Sequence, residues 1–110
     1  MQPATQRAFK RYAFVASAEV TESVSGTRLS ARTSEMGLGG CYIDSLNPFP
    51  RGTLVQLQIL RDQGVFEAEA KVVYCDPRFG MGLAFTGIKP EQRSLLEAWL
   101  TELELVTQLK

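Results

Sequence analysis

Apolar residues recur at every second position in several short segments of this chain, and turn-forming residues separate one segment from the next. Apolar side chains alternate with glutamines over residues 55–59, and with charged residues over residues 66–72. Alternation of this kind predicts β-strands that bury one face. Strands that follow one another at roughly ten-residue spacing indicate a sandwich or a barrel.

The same alternation predicts six strands and a common interior. The predicted strands cover about residues 12–21, 27–33, 41–43, 55–59, 66–74 and 81–85, with the turn sequence Asn-Pro-Phe-Pro-Arg-Gly at 47–52. Within residues 66–74 the apolar face runs from Phe66 to Tyr74. The side chains expected inside the barrel are Phe14, Leu29, Val55, Leu57, Ile59, Val72, Leu83 and Phe85.

The spacing of apolar residues changes to three and four after Ile88, which predicts a C-terminal helix over about residues 90–107. Pro90 suits the first turn of that helix. We expect it to cover the barrel, which spans about residues 12–87, through Leu96, Trp99 and Leu103.

Composition limits the function. A chain of 110 residues fits a single domain. It contains no histidine, so the commonest metal ligand and general base are missing, and we expect no enzyme, no catalytic or metal-binding residues and no cofactor. The formal net charge of zero disfavours binding to DNA or RNA. No apolar run is long enough to span a bilayer and no secretory signal opens the chain, which predicts a cytoplasmic protein without membrane insertion. Cys41 and Cys75 are interpreted as packing residues.

The N-terminal segment is locally basic. Arg7, Lys10 and Arg11 are the only charged residues before Glu19. A guanidinium group can bind a phosphate, or the O6/N7 edge of guanine, through two parallel hydrogen bonds. An arginine pair at this spacing is usually just solvated surface, but on a neutral domain it suits one compact anionic ligand.

A glycine cluster follows at Gly37, Gly39 and Gly40. It is not a phosphate-binding P-loop, because no Gly-Lys-Ser/Thr sequence follows it. Such a cluster predicts a tight turn, and it also lets backbone N–H groups approach an anion.

The order of these features resembles the PilZ domain family over about residues 7–103. The basic segment comes first, then the glycine-rich segment that leads into a strand, the turn at 47–52, the sequence Gly-Met-Gly-Leu-Ala-Phe at 80–85, and the helix. The resemblance implies a mainly β fold, a six-stranded antiparallel PilZ-type barrel with a C-terminal helix. It also implies a receptor for cyclic di-GMP, a bacterial second messenger, that acts on a protein effector.

The family's two binding motifs supply the expected ligand-binding residues. Arg7 and Arg11 match Arg-x-x-x-Arg, and residues 35–40 align with Asp/Asn-x-Ser-x-x-Gly. In that alignment Glu35 replaces the shorter acid or amide, Gly37 replaces the serine, and Gly40 matches. A second register, residues 32–37, recovers the serine and the glycine but places an arginine at the acidic position.

Two functions remain open at this point. Intact arginines favour a cyclic di-GMP receptor, whereas the altered second motif favours a PilZ-like protein-interaction module that does not bind nucleotide. Serine at Gly37 is expected to restore a hydroxyl facing the ligand, unless this glycine adopts a positive φ angle that serine would strain.

Overall fold

A computed structural model of the chain describes residues 10–109, so Arg7 lies outside the described residues. In that range the chain forms seven strands followed by one helix. Their bounds are β1 Arg11–Ala13, β2 Ser17–Glu22, β3 Arg28–Gly37, β4 Gly40–Asp44, β5 Leu54–Arg61, β6 Gly64–Asp76, β7 Gly80–Gly87 and α1 Pro90–Gln108.

The strands close into a six-stranded antiparallel barrel, as the sequence predicted. β1 and β2 pair with the same edge of β3. In the ladders, Arg32 of β3 pairs with β2 on one side and with β4 on the other. Glu35 of β3 pairs with β1 and β4 in the same way. The ladder then continues from β4 through β7, β6 and β5 back to β2. β1 and β2 therefore count as one interrupted barrel strand.

A buried threonine explains that interruption, which the alternation over residues 12–21 did not predict. The hydroxyl of Thr33 donates a hydrogen bond to the Phe14 carbonyl oxygen at 2.6 Å and accepts one from the Ala16 backbone N–H at 3.0 Å. Thr33 is fully buried. Its side chain takes the place of a strand-to-strand bond, and the chain bends between β1 and β2.

The predicted interior is mostly confirmed. Phe14, Val55, Leu57, Ile59, Val72 and Leu83 are all at most 4% exposed. Two residues are only partly buried. Leu29 is the second residue of β3, close to the strand end, and Phe85 lies at the margin of the core, where its ring meets Phe66 at 5.4 Å between centroids.

Helix α1 packs on the barrel as expected, with Leu96, Trp99 and Leu100 buried and Leu103 partly buried. The Trp99 ring contacts Phe14 at a centroid distance of 5.7 Å. Pro90 occupies the first turn, as predicted.

An arginine fastens the helix to the barrel. The Arg61 guanidinium lies 5.4 Å from the Phe14 ring centroid and 5.9 Å from that of Trp99, and Nη1 lies 2.8 Å from a carboxylate oxygen of Glu102 on α1. Over residues 10–109 we find no helix with the length and apolarity that crossing a membrane requires.

Candidate functional site

Strand β1 carries the second arginine of the basic segment onto the glycine-rich hairpin. In the β1–β3 ladder Arg11 lies opposite Gly37, and Ala13 lies opposite Glu35. The basic segment and the glycine-rich segment, which are far apart in the sequence, are thus joined by three residue pairs. We refer to Arg11, Glu35 and Gly37 as the arginine site.

The Arg11 side chain is held close to the protein surface rather than extended into solvent. Its Nη1 atom lies 3.7 Å from Oε1 of Glu35, and the side chain is 17% exposed, against 43% for Glu35. At this distance the two groups form an ion pair but not a hydrogen bond. Among the described residues Nη1 is buried and has no hydrogen-bond partner. A guanidinium has five N–H donors, so Arg11 keeps donors for an anion or a carbonyl while it pairs with Glu35.

Gly37 makes room for this arrangement. A β-carbon at Gly37 would lie 2.7 Å from the Lys10 carbonyl oxygen and 3.4 Å from Cδ of Arg11. The residues with positive φ in the described chain do not include Gly37. A positive φ angle, one of the two roles expected from the sequence, therefore does not explain this glycine, whereas the close approach of β1 requires it.

The tight turn expected from the glycine cluster is short, and most of residues 35–40 belong to strands. β3 extends to Gly37 and β4 starts at Gly40, so only Leu38 and Gly39 connect them. A β-carbon at Gly40 would lie 2.0 Å from the Leu83 carbonyl oxygen on β7. Gly40 thus serves the close contact between β4 and β7.

The positive charge of Arg11 also acts electrostatically on the thiol of Cys41. Burial raises the pKa of Cys41 to about 12, and Arg11 opposes this rise. Because burial dominates, the thiol stays protonated, in agreement with the packing role predicted for it.

Two tyrosines form an aromatic surface beside Glu35, and sequence reasoning missed it. Tyr42 lies opposite Glu35 on β4, and its ring centroid is 6.0 Å from that of Tyr74. Tyr74 was expected on the buried face, but the β6–β7 ladder shifts register between Val72 and Tyr74, and Tyr74 is 40% exposed. A bulge of this kind turns a side chain to the other face of the sheet.

The glycines of β7 make space for these rings. A β-carbon at Gly80 would lie 2.6 Å from the Tyr42 ring, and one at Gly82 would lie 2.5 Å from the Tyr74 ring. The Tyr42 hydroxyl donates to Asp76 at 2.6 Å. Burial raises the pKa of Tyr42, and the hydrogen bond to Asp76 adds to this rise. The Gly-x-Gly spacing of β7 was the sequence signal that could have revealed this surface.

The residues on either side of Arg11 contact the helix. The Tyr12 hydroxyl donates a short hydrogen bond to Oε1 of Glu104, and Nζ of Lys10 lies 3.2 Å from the same oxygen. The bond to Glu104 raises the pKa of Tyr12, and the bonds from Tyr12 and Lys10 lower the pKa of Glu104. They join β1 to α1 beside a groove of about 620 Å³ that Leu38 also lines. Arg11 is thus flanked on both sides by residues that the helix holds.

Sequence comparison matches the chain to one family. The model of the PilZ domain matches residues 5–102, which covers most of the chain. A search of curated proteins found no match.

Solved structures share the fold at low sequence identity. YcgR from Escherichia coli in complex with c-di-GMP aligns with a TM-score of 0.77 and 18% identity over 94% of this chain and 48% of that one. The inhibitor of motility MotI/DgrA from Bacillus subtilis aligns with a TM-score of 0.74 and 18% identity, over 96% of this chain and 53% of that one. The PilZ domain of CeSA from a cellulose-synthesizing bacterium aligns with a TM-score of 0.69 and 16% identity, over 86% of this chain and 98% of that one. The chain therefore spans about half the length of YcgR and MotI.

Proposed function

Because this chain belongs to the PilZ domain family, we propose that it is a receptor for cyclic di-GMP and acts as a binding module rather than as an enzyme. The observation that carries the proposal is the arginine site. It presents a guanidinium whose buried Nη1 atom has no hydrogen-bond partner among the described residues. The c-di-GMP complex of YcgR, which has the same fold, supports the choice of ligand.

Each residue of the site has a chemical role in this proposal. Arg11 binds a phosphate or the O6/N7 edge of guanine through two parallel hydrogen bonds, and Arg7, the other arginine of the motif, binds the second half of the ligand. Glu35 accepts hydrogen bonds from the N1–H and N2–H groups of guanine. Gly37 lets β1 and Arg11 approach β3, and Gly40, at the end of the motif, lets β4 approach β7.

The aromatic surface beside Glu35 suits a nucleobase. Tyr42 on β4 and Tyr74 on β6 meet across Gly82 of β7, and Tyr74 is partly exposed. Stacking of a base on an aromatic ring contributes about 1–3 kcal/mol. A purine held by Arg11 and Glu35 would lie next to these rings.

The ion pair between Arg11 and Glu35 must yield to the ligand, and the magnitudes favour the ligand. A partly exposed ion pair contributes roughly 0–1 kcal/mol. A hydrogen bond between charged groups contributes about 1.5–3 kcal/mol, and a bidentate contact supplies two. Glu35 therefore holds Arg11 in position without preventing its exchange to a phosphate.

Calorimetric titration with cyclic di-GMP tests the proposal. Arg11→Ala and Arg7→Ala are each expected to weaken binding by about 2 kcal/mol, or roughly 30-fold, because each removes a bidentate contact. Arg51→Ala, which removes an exposed arginine from the β4–β5 connection, is the matched control and should bind like the wild type. Thermal unfolding should stay close to wild type in all three variants. If both motif variants bind as tightly as the control, the nucleotide site is not here.

A second candidate function is a protein-interaction module that does not bind nucleotide. It is favoured by the chain's two departures from the family motif, the longer acid at Glu35 and the missing hydroxyl at Gly37. The same titration separates the two functions, since wild-type protein that gives no heat with cyclic di-GMP would leave the interaction module as the better account.

A further inference from the structure

A second groove, of about 650 Å³, opens where the end of β4 meets the β6–β7 turn. The Ser45 backbone N–H donates to the Phe79 carbonyl oxygen at 3.0 Å, which brings the two segments together. Leu46 and Phe79 both line the groove and are 77% and 75% exposed. Single exposed apolar residues are ordinary, but two large ones in one concave surface are typical of a contact site.

The turn that carries Phe79 has an unfavourable backbone. The Phe79 N–H donates to the Asp76 carbonyl oxygen at 2.9 Å, with Pro77 and Arg78 between them. Arg78 has a φ angle of 72°. This is the third position of a type II turn, where glycine or asparagine is favoured and arginine is strained. Glycine at this position would have no such strain, so the presence of arginine indicates that its side chain has a function.

The two arginines beside this groove are available to bind a partner. Arg32 and Arg78 both line it, and over residues 10–109 neither makes an ion pair within 4 Å. Asp44 also lines the groove, opposite Arg32 in the β3–β4 ladder. Two arginines beside two apolar side chains complement a partner that carries carboxylates next to apolar residues.

We propose that this groove, which we call the Arg78 groove, is a docking site for a partner-protein segment that combines aliphatic or aromatic side chains with Asp or Glu. Leu46 and Phe79 bind the apolar side chains, and the two arginines bind carboxylates bidentately. A phosphate-bearing partner fits less well, because a phosphate monoester carries more negative charge than a carboxylate and Asp44 repels it more strongly. None of the residues lining the groove belongs to the arginine site, so a segment docked there leaves that site open.

A random-peptide phage-display selection on the nucleotide-free protein tests the proposal. Peptides are selected on the wild type and counter-selected on the Leu46→Asp/Phe79→Asp double variant. The expected consensus places Asp or Glu within a few residues of an apolar side chain. A synthetic peptide of that consensus should then bind in fluorescence anisotropy and lose about tenfold or more in affinity with Arg78→Gly.

The Arg78→Gly variant separates docking from stability. Glycine relaxes the positive φ angle, so the Tm should be unchanged or rise by up to about 5 °C while peptide binding falls. Val24→Asp, at a residue that is 89% exposed in the β2–β3 turn, is the control for a charge added at an exposed apolar position, and it should bind the peptide normally.

Three results would overturn the proposal. One is a selection that enriches no peptide, or peptides without acidic residues. The second is light scattering that shows a dimer abolished by the double variant, which would make the groove a contact between copies. The third is binding to phosphatidylglycerol vesicles that the double variant abolishes, which would make it a lipid contact.

Discussion

Replacing Gly37 by alanine tests whether the arginine site depends on the absence of a side chain. The new β-carbon would lie 2.7 Å from the Lys10 carbonyl oxygen and 3.4 Å from Cδ of Arg11. Favourable non-bonded contacts of carbon lie near ~3.5 Å. A backbone oxygen cannot rotate away as a side chain can, so β1 must shift by roughly 0.5 Å or more.

The cost follows from two opposing effects. Overpacking a tight contact costs about 1–3 kcal/mol. Alanine also restricts the unfolded chain, which offsets about 0.4–1 kcal/mol. The free energy of unfolding should therefore fall by about 1–2 kcal/mol. For a domain near this size, each kcal/mol lowers the Tm by about 4–8 °C.

A series of three glycine-to-alanine variants, followed by thermal unfolding in circular dichroism, measures this effect. Gly87→Ala is the matched control, because its β-carbon would meet Oε1 of Glu69 at 2.9 Å, the movable end of a side chain. Gly40→Ala should lose most, because its β-carbon would lie 2.0 Å from a backbone oxygen. The expected order of Tm is Gly87→Ala, then Gly37→Ala, then Gly40→Ala.

The ligand provides the second measurement. Gly37→Ser carries the same β-carbon as alanine, so we expect weaker cyclic di-GMP binding as β1 and Arg11 move, despite the added hydroxyl. A Gly37→Ala protein with wild-type Tm, together with a Gly37→Ser protein that binds cyclic di-GMP more tightly, would refute the close approach of β1. The interpretation of Gly37 as a lost serine hydroxyl would then be restored.

Three further predictions concern the helix and the core. Trp99→Ala should lower the free energy of unfolding by about 3–5 kcal/mol in urea titration, since it empties the helix–barrel contact; a loss under 1 kcal/mol would contradict that packing. The bond to Tyr12 lowers the pKa of Glu104, so it stabilises the fold above the ordinary pKa of the carboxyl group, and this stabilisation is lost as the pH falls. The Tm of the wild type should therefore exceed that of Glu104→Gln by less and less between about pH 6 and pH 3. Equal Tm values across that range would exclude the contribution. Cys41 should resist N-ethylmaleimide at about pH 8 until the protein unfolds, because burial raises the pKa of its thiol to about 12; mass spectrometry of the native protein that finds it alkylated would disagree.

The alternation of β5 was enough to predict which of its side chains line the barrel interior. Val55, Leu57 and Ile59 face inward at exposures of at most 1%. A period of two fixes which face a residue occupies, provided that no bulge intervenes. At Tyr74 a bulge does intervene, and the same rule then assigned the wrong face. Thr33 is in phase with Leu29, but its burial was missed, because a polar residue is not expected inside a barrel until its hydrogen-bond partners are known.

The candidate site was predictable as a set of residues but not as an arrangement. Local sequence identified Arg11, Glu35 and Gly37 as separate motif positions. Their contact depends on the register of β1 against β3, a pairing between segments that are far apart in the sequence. The aromatic surface depends in the same way on Tyr42 and Tyr74 meeting across β7. Pairings of this kind between distant segments are not encoded in any one stretch of sequence.

The closure of the barrel also has a consequence for dynamics. A strand paired on both sides cannot open alone, so we expect the amide protons of the closed barrel to exchange with solvent mainly through global unfolding. β1 is different, because within the described chain it pairs only with β3, over three residues, and is otherwise joined to α1 through Tyr12. Local opening there leaves the barrel intact. The part of the molecule best able to respond to a bound ligand is thus the strand that carries Arg11, and its amides should exchange first.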